Sequence, residues 1–226
     1  LVMKSALKRL YLWLVFFFLY APILVLIVYS FNSSKSRGKW EGFSIKWYVE
    51  LFKDSQIMTA LANTVIIAVV AALLSAIVGT IAAIGIFNLN GWQKNMILNI
   101  TYLPILNPDI VTGISMMLLF IAINLPRGLL SMILAHITFG LPYVIISVLP
   151  KLGQLDPQIY DAALDLGATP REAYTKVILP QIVPGIFTGF LLAFTMSVDD
   201  FVVSFFVTGN GVSNLAISIY SMARRG

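Results

Sequence analysis

The sequence predicts an all-α protein that crosses a membrane several times, and three observations carry that prediction. Of its 226 residues, 59% are hydrophobic and 11% charged, and the mean hydropathy is +0.90. Soluble domains carry about 25% charged residues. Apolar stretches near the length needed to span a bilayer, about 20 residues, recur along most of the chain. One polar block, 156–176, interrupts them with helix-boundary residues at helical spacing.

The first predicted span is 10–29. Lys4, Lys8 and Arg9 precede it, no small-residue cleavage signature follows it, and it is longer than a signal-peptide core. It therefore reads as a retained helix with a cytoplasmic N-terminus. The loop 31–58 then lies outside, where Phe43, Trp47, Tyr48, Leu51 and Phe52 recur at helical spacing and predict a short amphipathic helix at the interface. Lys35, Arg37, Lys39, Lys46 and Lys53 of that loop nearly balance the inner basic residues, so the orientation rests on the N-terminal cluster and the polar block. The second span, 59–87, is rich in Ala with Gly79 and Gly85, small residues that let helix backbones approach in lipid. The third, 95–123, is broken near Pro104 and Pro108; the fourth, 129–149, contains Pro142; the fifth is 178–208, ending at the turn Gly209-Asn210-Gly211.

Within the polar block, Asp156 is a good N-cap with Pro157 behind it, and Gly167 suits the position just past a helix end, which predicts a helix over 157–166. Thr169, Pro170 and Glu172 then form a capping-box signature for a second helix. Threading from an inside N-terminus puts this helix-turn-helix on the cytoplasmic side.

Several classes are excluded. There is no cysteine and a single histidine, His136, so neither a disulfide nor a multi-histidine metal site can form. The net charge of +5 is scattered over short loops without a basic, aromatic-interleaved face, which argues for membrane-surface charge and against nucleic acid. No G-x-x-x-x-G-K-[ST], H-E-x-x-H or G-x-S-x-G motif is present, so an enzyme reading finds no support.

The spacing Asp161-Ala162-Ala163, three residues, Gly167, nine residues, Val177, one residue, Leu179-Pro180 resembles the EAA loop of bacterial ABC importer permeases, with Asp for the usual Glu and Val for Ile. The apolar segments on either side are similar to permeases of spermidine/putrescine importers, of the PotC type. The resemblance implies the MetI-like permease fold as one transmembrane domain over 1–226, with an external loop 31–58 and a cytoplasmic coupling loop 151–177. It implies five recognisable spans, with a sixth expected beyond the residues given. It further implies that Asp161, Ala162, Ala163, Gly167, Leu179 and Pro180 serve coupling to a cytoplasmic ATPase dimer. ATP and Mg2+ would be bound by that dimer and not by this chain. A second homologous permease (PotB-like), an extracellular or periplasmic polyamine-binding protein (PotD-like) and the bacterial inner membrane complete the expected surroundings.

Charged groups inside a membrane cost about 2.5–3.5 kcal/mol each on insertion scales, so those present are functional candidates. Asp109 follows the Asn107-Pro108 break, and Asp199 and Asp200 lie late in the fifth span. No Lys or Arg shares these spans to neutralise them. A polyamine fits such a path, its ammonium groups on the carboxylates and its methylenes on Tyr102, Phe201 or Phe205, with cation–π contact adding about 0.5–2 kcal/mol. The local alternative for Asp109 is a cap on the helix resuming after Pro108, and for one of Asp199 and Asp200 a cap at a helix break or a bond to Ser197 or Ser204. His136 reads as a hydrogen bonder between helices. Two other functions stay open: an ABC permease for another small ligand, and a stand-alone secondary transporter with the acids as ion sites.

Overall fold

The computed structural model describes residues 2–35 and 38–225, so Arg37 of the outer loop lies outside the described residues. The chain divides into two compact units, 1–58 and 59–226. In the first, α1 (Val2–Ser30) is one continuous helix despite Pro22, and its described side chains are almost all exposed, as suits a helix whose apolar surface faces lipid or another subunit. The connection returns through an isolated β-bridge between Asn32 and Phe43 to α2 (Lys46–Lys53). Trp47, Tyr48, Leu51 and Phe52 lie on α2, but Phe43 does not. It belongs to the bridge and stacks on Phe31, with ring centroids 5.2 Å apart. Tyr48 packs on the other side of Phe31, at 5.1 Å, and meets the Ser30 hydroxyl at 2.7 Å, so part of the aromatic face closes the end of α1.

The second unit is a helical bundle of α3 (Ser55–Phe87), α4 (Gly91–Leu106), α5 (Asp109–Ala122), α6 (Leu129–Leu152), α7 (Ile159–Asp165), α8 (Pro170–Glu172), α9 (Leu179–Asp199), α10 (Val202–Val207) and α11 (Leu215–Arg225). Among the described residues four helices are long and apolar enough to cross a membrane, and the bent pair α4–α5 makes a fifth crossing if it is one span. The small-residue face of α3 is the buried one, with Ala68, Ala72, Ser75, Gly79 and Ala83 all inside. It lies along α6: Ser75 donates to the Ile137 carbonyl at 3.1 Å, and further along both helices Gly79 meets Leu141 and Val144. The two helices therefore run parallel, and the chain between them must return across the bundle.

That return is made by α4 and α5, which meet at 105° across the Asn107-Pro108 break. Pro104 sits inside α4 and does not break it. Ile97 and Leu98 of α4 pack against the core formed by Ile86, Val148 and Ile182, whereas Met116 and Phe120 of α5 belong to a second core with Ile67, Met132 and Val207. The sharply bent pair thus connects opposite ends of the bundle, as a single span would. Helix α9 runs antiparallel to α6, from Gly185 against Ser147 to Ala193 against Gly140. At Gly189 a Cβ would stand 2.8 Å from the Val144 backbone, so only glycine permits this approach. The predicted fifth span, 178–208, is entered through a π-helical turn, Ala173–Ile178, and is not continuous, breaking at Asp200 between α9 and α10.

Candidate functional site

The polar block folds as its local signals require. Asp156 accepts the Gln158 N–H at 2.9 Å, and Pro157-Gln158 form a lead-in turn, so α7 is shorter than predicted. Gly167 has φ +88, and its N–H donates to Leu164 O at 2.9 Å while Ala168 N–H donates to Ala163 O at 3.1 Å. This is a Schellman end that uses the left-handed conformation glycine adopts without penalty. Thr169 and Glu172 make the reciprocal capping box, with Thr169 N–H to Glu172 Oε2 at 3.0 Å and Glu172 N–H to Thr169 Oγ1 at 3.3 Å. Lys176 reinforces it with an ion pair to Glu172 at 2.8 Å. Asp161 and Ala162 face outward, Ala163 is buried, and Leu166 at the tip is 90% exposed. Leu179 and Pro180 begin α9 directly after the π-helical turn, so α8 to α9 form one rod beneath α7. Tyr160 of α7 packs on Tyr174 at 5.2 Å, whose hydroxyl accepts from Asn88 at 3.4 Å, and these side chains border a cavity of about 320 Å³ between α7 and the end of α3.

At the far end of α9 the chain turns a corner. Asp200 is extended, and its carboxylate accepts the Val203 N–H at 3.0 Å and the Ser204 N–H at 2.7 Å. Those are the donors a new helix leaves unsatisfied, so Asp200 both ends α9 and starts α10. Its Oδ2 also lies 3.5 Å from Nε2 of His136, which is 2% exposed. The imidazole in turn bridges Ser197 Oγ at 2.5 Å and Ser204 Oγ at 3.0 Å. Asn214 donates to Ser204 Oγ at 2.8 Å and to the Asp200 carbonyl at 3.2 Å. His136 is thus the interhelical hydrogen bonder the sequence suggested.

The other candidate side chains are placed differently. Asp199, the last residue of α9, is exposed. Phe201 stacks on Phe205 at 5.5 Å and on Tyr220 at 4.4 Å, and Phe205 is 51% exposed. Asp109 is the exposed first residue of α5. Tyr102 stands on α4, exposed and short of the break. Helix α5 packs along α10, with Gly113 against Val203 and Phe206, so the helix that starts at Asp109 is joined to the one that starts at Asp200. Asn214 and the Tyr160–Tyr174 pair were not singled out from the sequence. Only Asn214 carries a local signal, as a cap before α11, where its side chain accepts the Ile217 N–H at 2.9 Å.

A bundle of membrane-crossing helices, with broken segments at one end and a capped helix-turn-helix at the other, is the architecture of an ABC importer permease. The chain belongs to the family of binding-protein-dependent transport system inner membrane components, whose pattern it matches over residues 75–224. It is accordingly a multi-pass inner-membrane protein and a component of a transport system. It is 42% identical over 232 residues to the putrescine transport system permease protein PotI of Escherichia coli strain K12, a match covering 100% of this chain and 83% of that protein. It is 36% identical over 220 residues to the spermidine/putrescine transport system permease protein PotC of Haemophilus influenzae, covering 97% and 86%. A crystal structure of a bacterial ABC transporter involved in the import of the acidic polysaccharide alginate shares the fold, with a TM-score of 0.74 at 18% identity over 100% of this chain and 85% of that one.

Proposed function

We propose that this chain is the permease subunit of an ATP-driven importer of polyamines, spermidine or putrescine, and forms half of the translocation path beside a second, homologous permease. The observation that carries the substrate reading is the placing of carboxylates at helix breaks: Asp109 opens α5, Asp199 ends α9 and Asp200 follows it in the link to α10. Helices α5, α9 and α10 contain no Lys or Arg, so the path offers a cation acids without competing bases. Tyr102, Phe201 and Phe205 supply rings for the methylenes and for cation–π contact. Identity to polyamine permeases across almost the whole chain supports the same substrate class.

In this reading a periplasmic binding protein delivers the polyamine, and two cytoplasmic ATPase subunits bind ATP and Mg2+. The chain has no phosphate-binding loop and does no chemistry of its own. Asp161, Ala162, Ala163 and Gly167 dock on the ATPase, and Leu179-Pro180 pass its movement into α9. The N-terminus is cytoplasmic, which puts α7 on the ATPase side. Nucleotide drives the cycle only through its different affinity for the two states of the complex.

The test is uptake of labelled spermidine and putrescine into proteoliposomes holding the assembled transporter, with and without ATP. Uptake should require ATP and fall at least about tenfold in Asp109→Asn and Asp199→Asn, as lost charge-assisted contacts demand, with complex assembly unchanged. Assembled complex that moves no polyamine would overturn the substrate reading.

A further inference from the structure

The two adjacent acids of the α9–α10 corner are not equivalent. Both oxygens of Asp200 are engaged by the Val203 and Ser204 N–H groups, and one also faces His136. Asp199 is exposed. The buried set of His136, Ser197, Ser204, Asn214 and Asp200 ties together α6, α9, α10 and the start of α11. It also reaches α3 at one remove: Asn63 donates to the Ser213 carbonyl at 3.0 Å, and Leu215 N–H donates to Thr64 Oγ1 at 2.8 Å. Every buried side-chain polar atom among the described residues has a partner. With its proton on Nε2, a neutral imidazole donates toward Ser204 Oγ and the Asp200 carboxylate and accepts from the Ser197 hydroxyl at Nδ1. In a membrane-embedded interior such a closed network has one stable arrangement, since opening it strands several polar groups at once.

We propose that His136 is a positioning residue for transport: it holds the α9–α10 corner through Ser197, Ser204 and Asp200, and so sets where Asp199 and Phe201 stand for the passing cation. The adjacent carboxylates thereby divide the work, with Asp200 spent on holding the corner and Asp199 presented to the substrate. This rests on the polyamine reading above for the identity of the cation, but the mechanical part does not.

The test therefore has two readouts on the complete complex. The first is KM and Vmax for polyamine uptake in wild type, Asp199→Asn, His136→Phe, Ser204→Ala and the two double variants with Asp199→Asn. His136→Phe should raise KM at least about tenfold and Ser204→Ala about threefold, and in the Asp199→Asn background neither should raise it more than about twofold further, because coupled residues are not additive. Ser204→Ala keeps the volume of the site and covers the case in which His136→Phe does not assemble. The second readout needs no substrate. The chain has no native cysteine, so a thiol placed by Asp199→Cys can be labelled with a maleimide, with Leu166→Cys as the distant reference. His136→Phe and Ser204→Ala should change the labelling rate at 199 severalfold and leave that at 166 unchanged. Unchanged labelling at 199, multiplicative KM effects, or a lower yield of complex with normal KM would each overturn the positioning role. Changed labelling together with a normal KM in Asp199→Asn would uphold the corner's mechanics and overturn the acidic path.

Discussion

The two ends of α9 are built on different principles. In the polar block, the structure is held by partners close in sequence: Thr169 with Glu172, Glu172 with Lys176, Gly167 with Leu164, Asp156 with Gln158. At the α9–α10 corner, Asp200 caps Val203 and Ser204 locally, but the bonds that fix the corner in the bundle join residues far apart in sequence: His136 with Ser197 and Ser204, Ser131 with the Val207 carbonyl, Thr64 with Leu215. The caps and turns of the block thus hold by their own residues, and the block is fastened to the bundle by the Tyr160–Tyr174 pair with Asn88 and by its continuation into α9. A corner held by α3, α6 and α11 cannot move unless they do. The first suits a part pushed by another subunit, the second a part that must keep its shape until the whole bundle rearranges.

The largest effect should come from the seam on which both ends depend. Gly189 lies where α9 crosses α6, with the Val144 backbone 2.8 Å from the position of a Cβ. Gly189→Val cannot be absorbed by a side-chain shift, and overpacking of this kind costs about 1–3 kcal/mol or more. Complex recovered by co-purification should fall to near zero. Normal recovery would mean that α6 and α9 can separate freely, and the mechanical contrast between the two ends would fail.

Next in size is Asp200→Ala. It leaves the first N–H groups of α10 without their acceptors, and each unsatisfied buried group costs about 1–3 kcal/mol. The melting temperature of the purified chain in detergent should drop by several degrees. Asp161→Ala, on the exposed face of α7, should leave the melting temperature in place, because surface substitutions stay within about 0.5 kcal/mol. Its effect should show in uptake per ATP hydrolysed. Equal loss of stability in the two variants would erase the distinction.

Gly167→Val sharpens it further. A β-branched residue at φ +88 is strained by about 1–2 kcal/mol, yet nothing packs within 4 Å of that position. The strain is therefore confined to the turn between α7 and α8. Uptake should fall while ATP hydrolysis by the complex continues and KM for polyamine stays the same. A raised KM would show that the block communicates with the corner in the resting state.

The same contrast explains what was legible in the sequence. Thr169, Pro170, Glu172 and Gly167 announced their helix ends because capping is local, and only the length of α7 differed, since Asp156 accepts the Gln158 N–H in a turn before the helix. The span count was legible from apolar length, including the break at Asn107-Pro108. Its angle of 105° was not, because direction after a proline break depends on what α5 packs against. The break at Asp200 stayed open for the same reason: Asp199-Asp200 inside an apolar run reads equally well as two path residues or as a cap, and only the distant His136 and Asn214 decide how Asp200 is used. Phe43 was assigned to α2 by periodicity, but its stacking on Phe31 depends on the Asn32–Phe43 bridge.

The smallest effect should come from Thr169→Ala, and it is the most exacting check. Loss of an N-cap costs about 1 kcal/mol, and Glu172 also loses the hydroxyl that donates to it at 2.9 Å. The partners are all within the polar block, so the deficit should appear as faster amide hydrogen exchange over 169–176 and nowhere in α10 or α11. Combined with Ser204→Ala, the change in melting temperature should be the sum of the two single changes, since sites with no shared partner add within about 0.5 kcal/mol. Departure from that sum would mean that the two ends of α9 share one cooperative unit already at rest, and the π-helical turn Ala173–Ile178, the one irregular element between the block and α9, would be the place to look for the link.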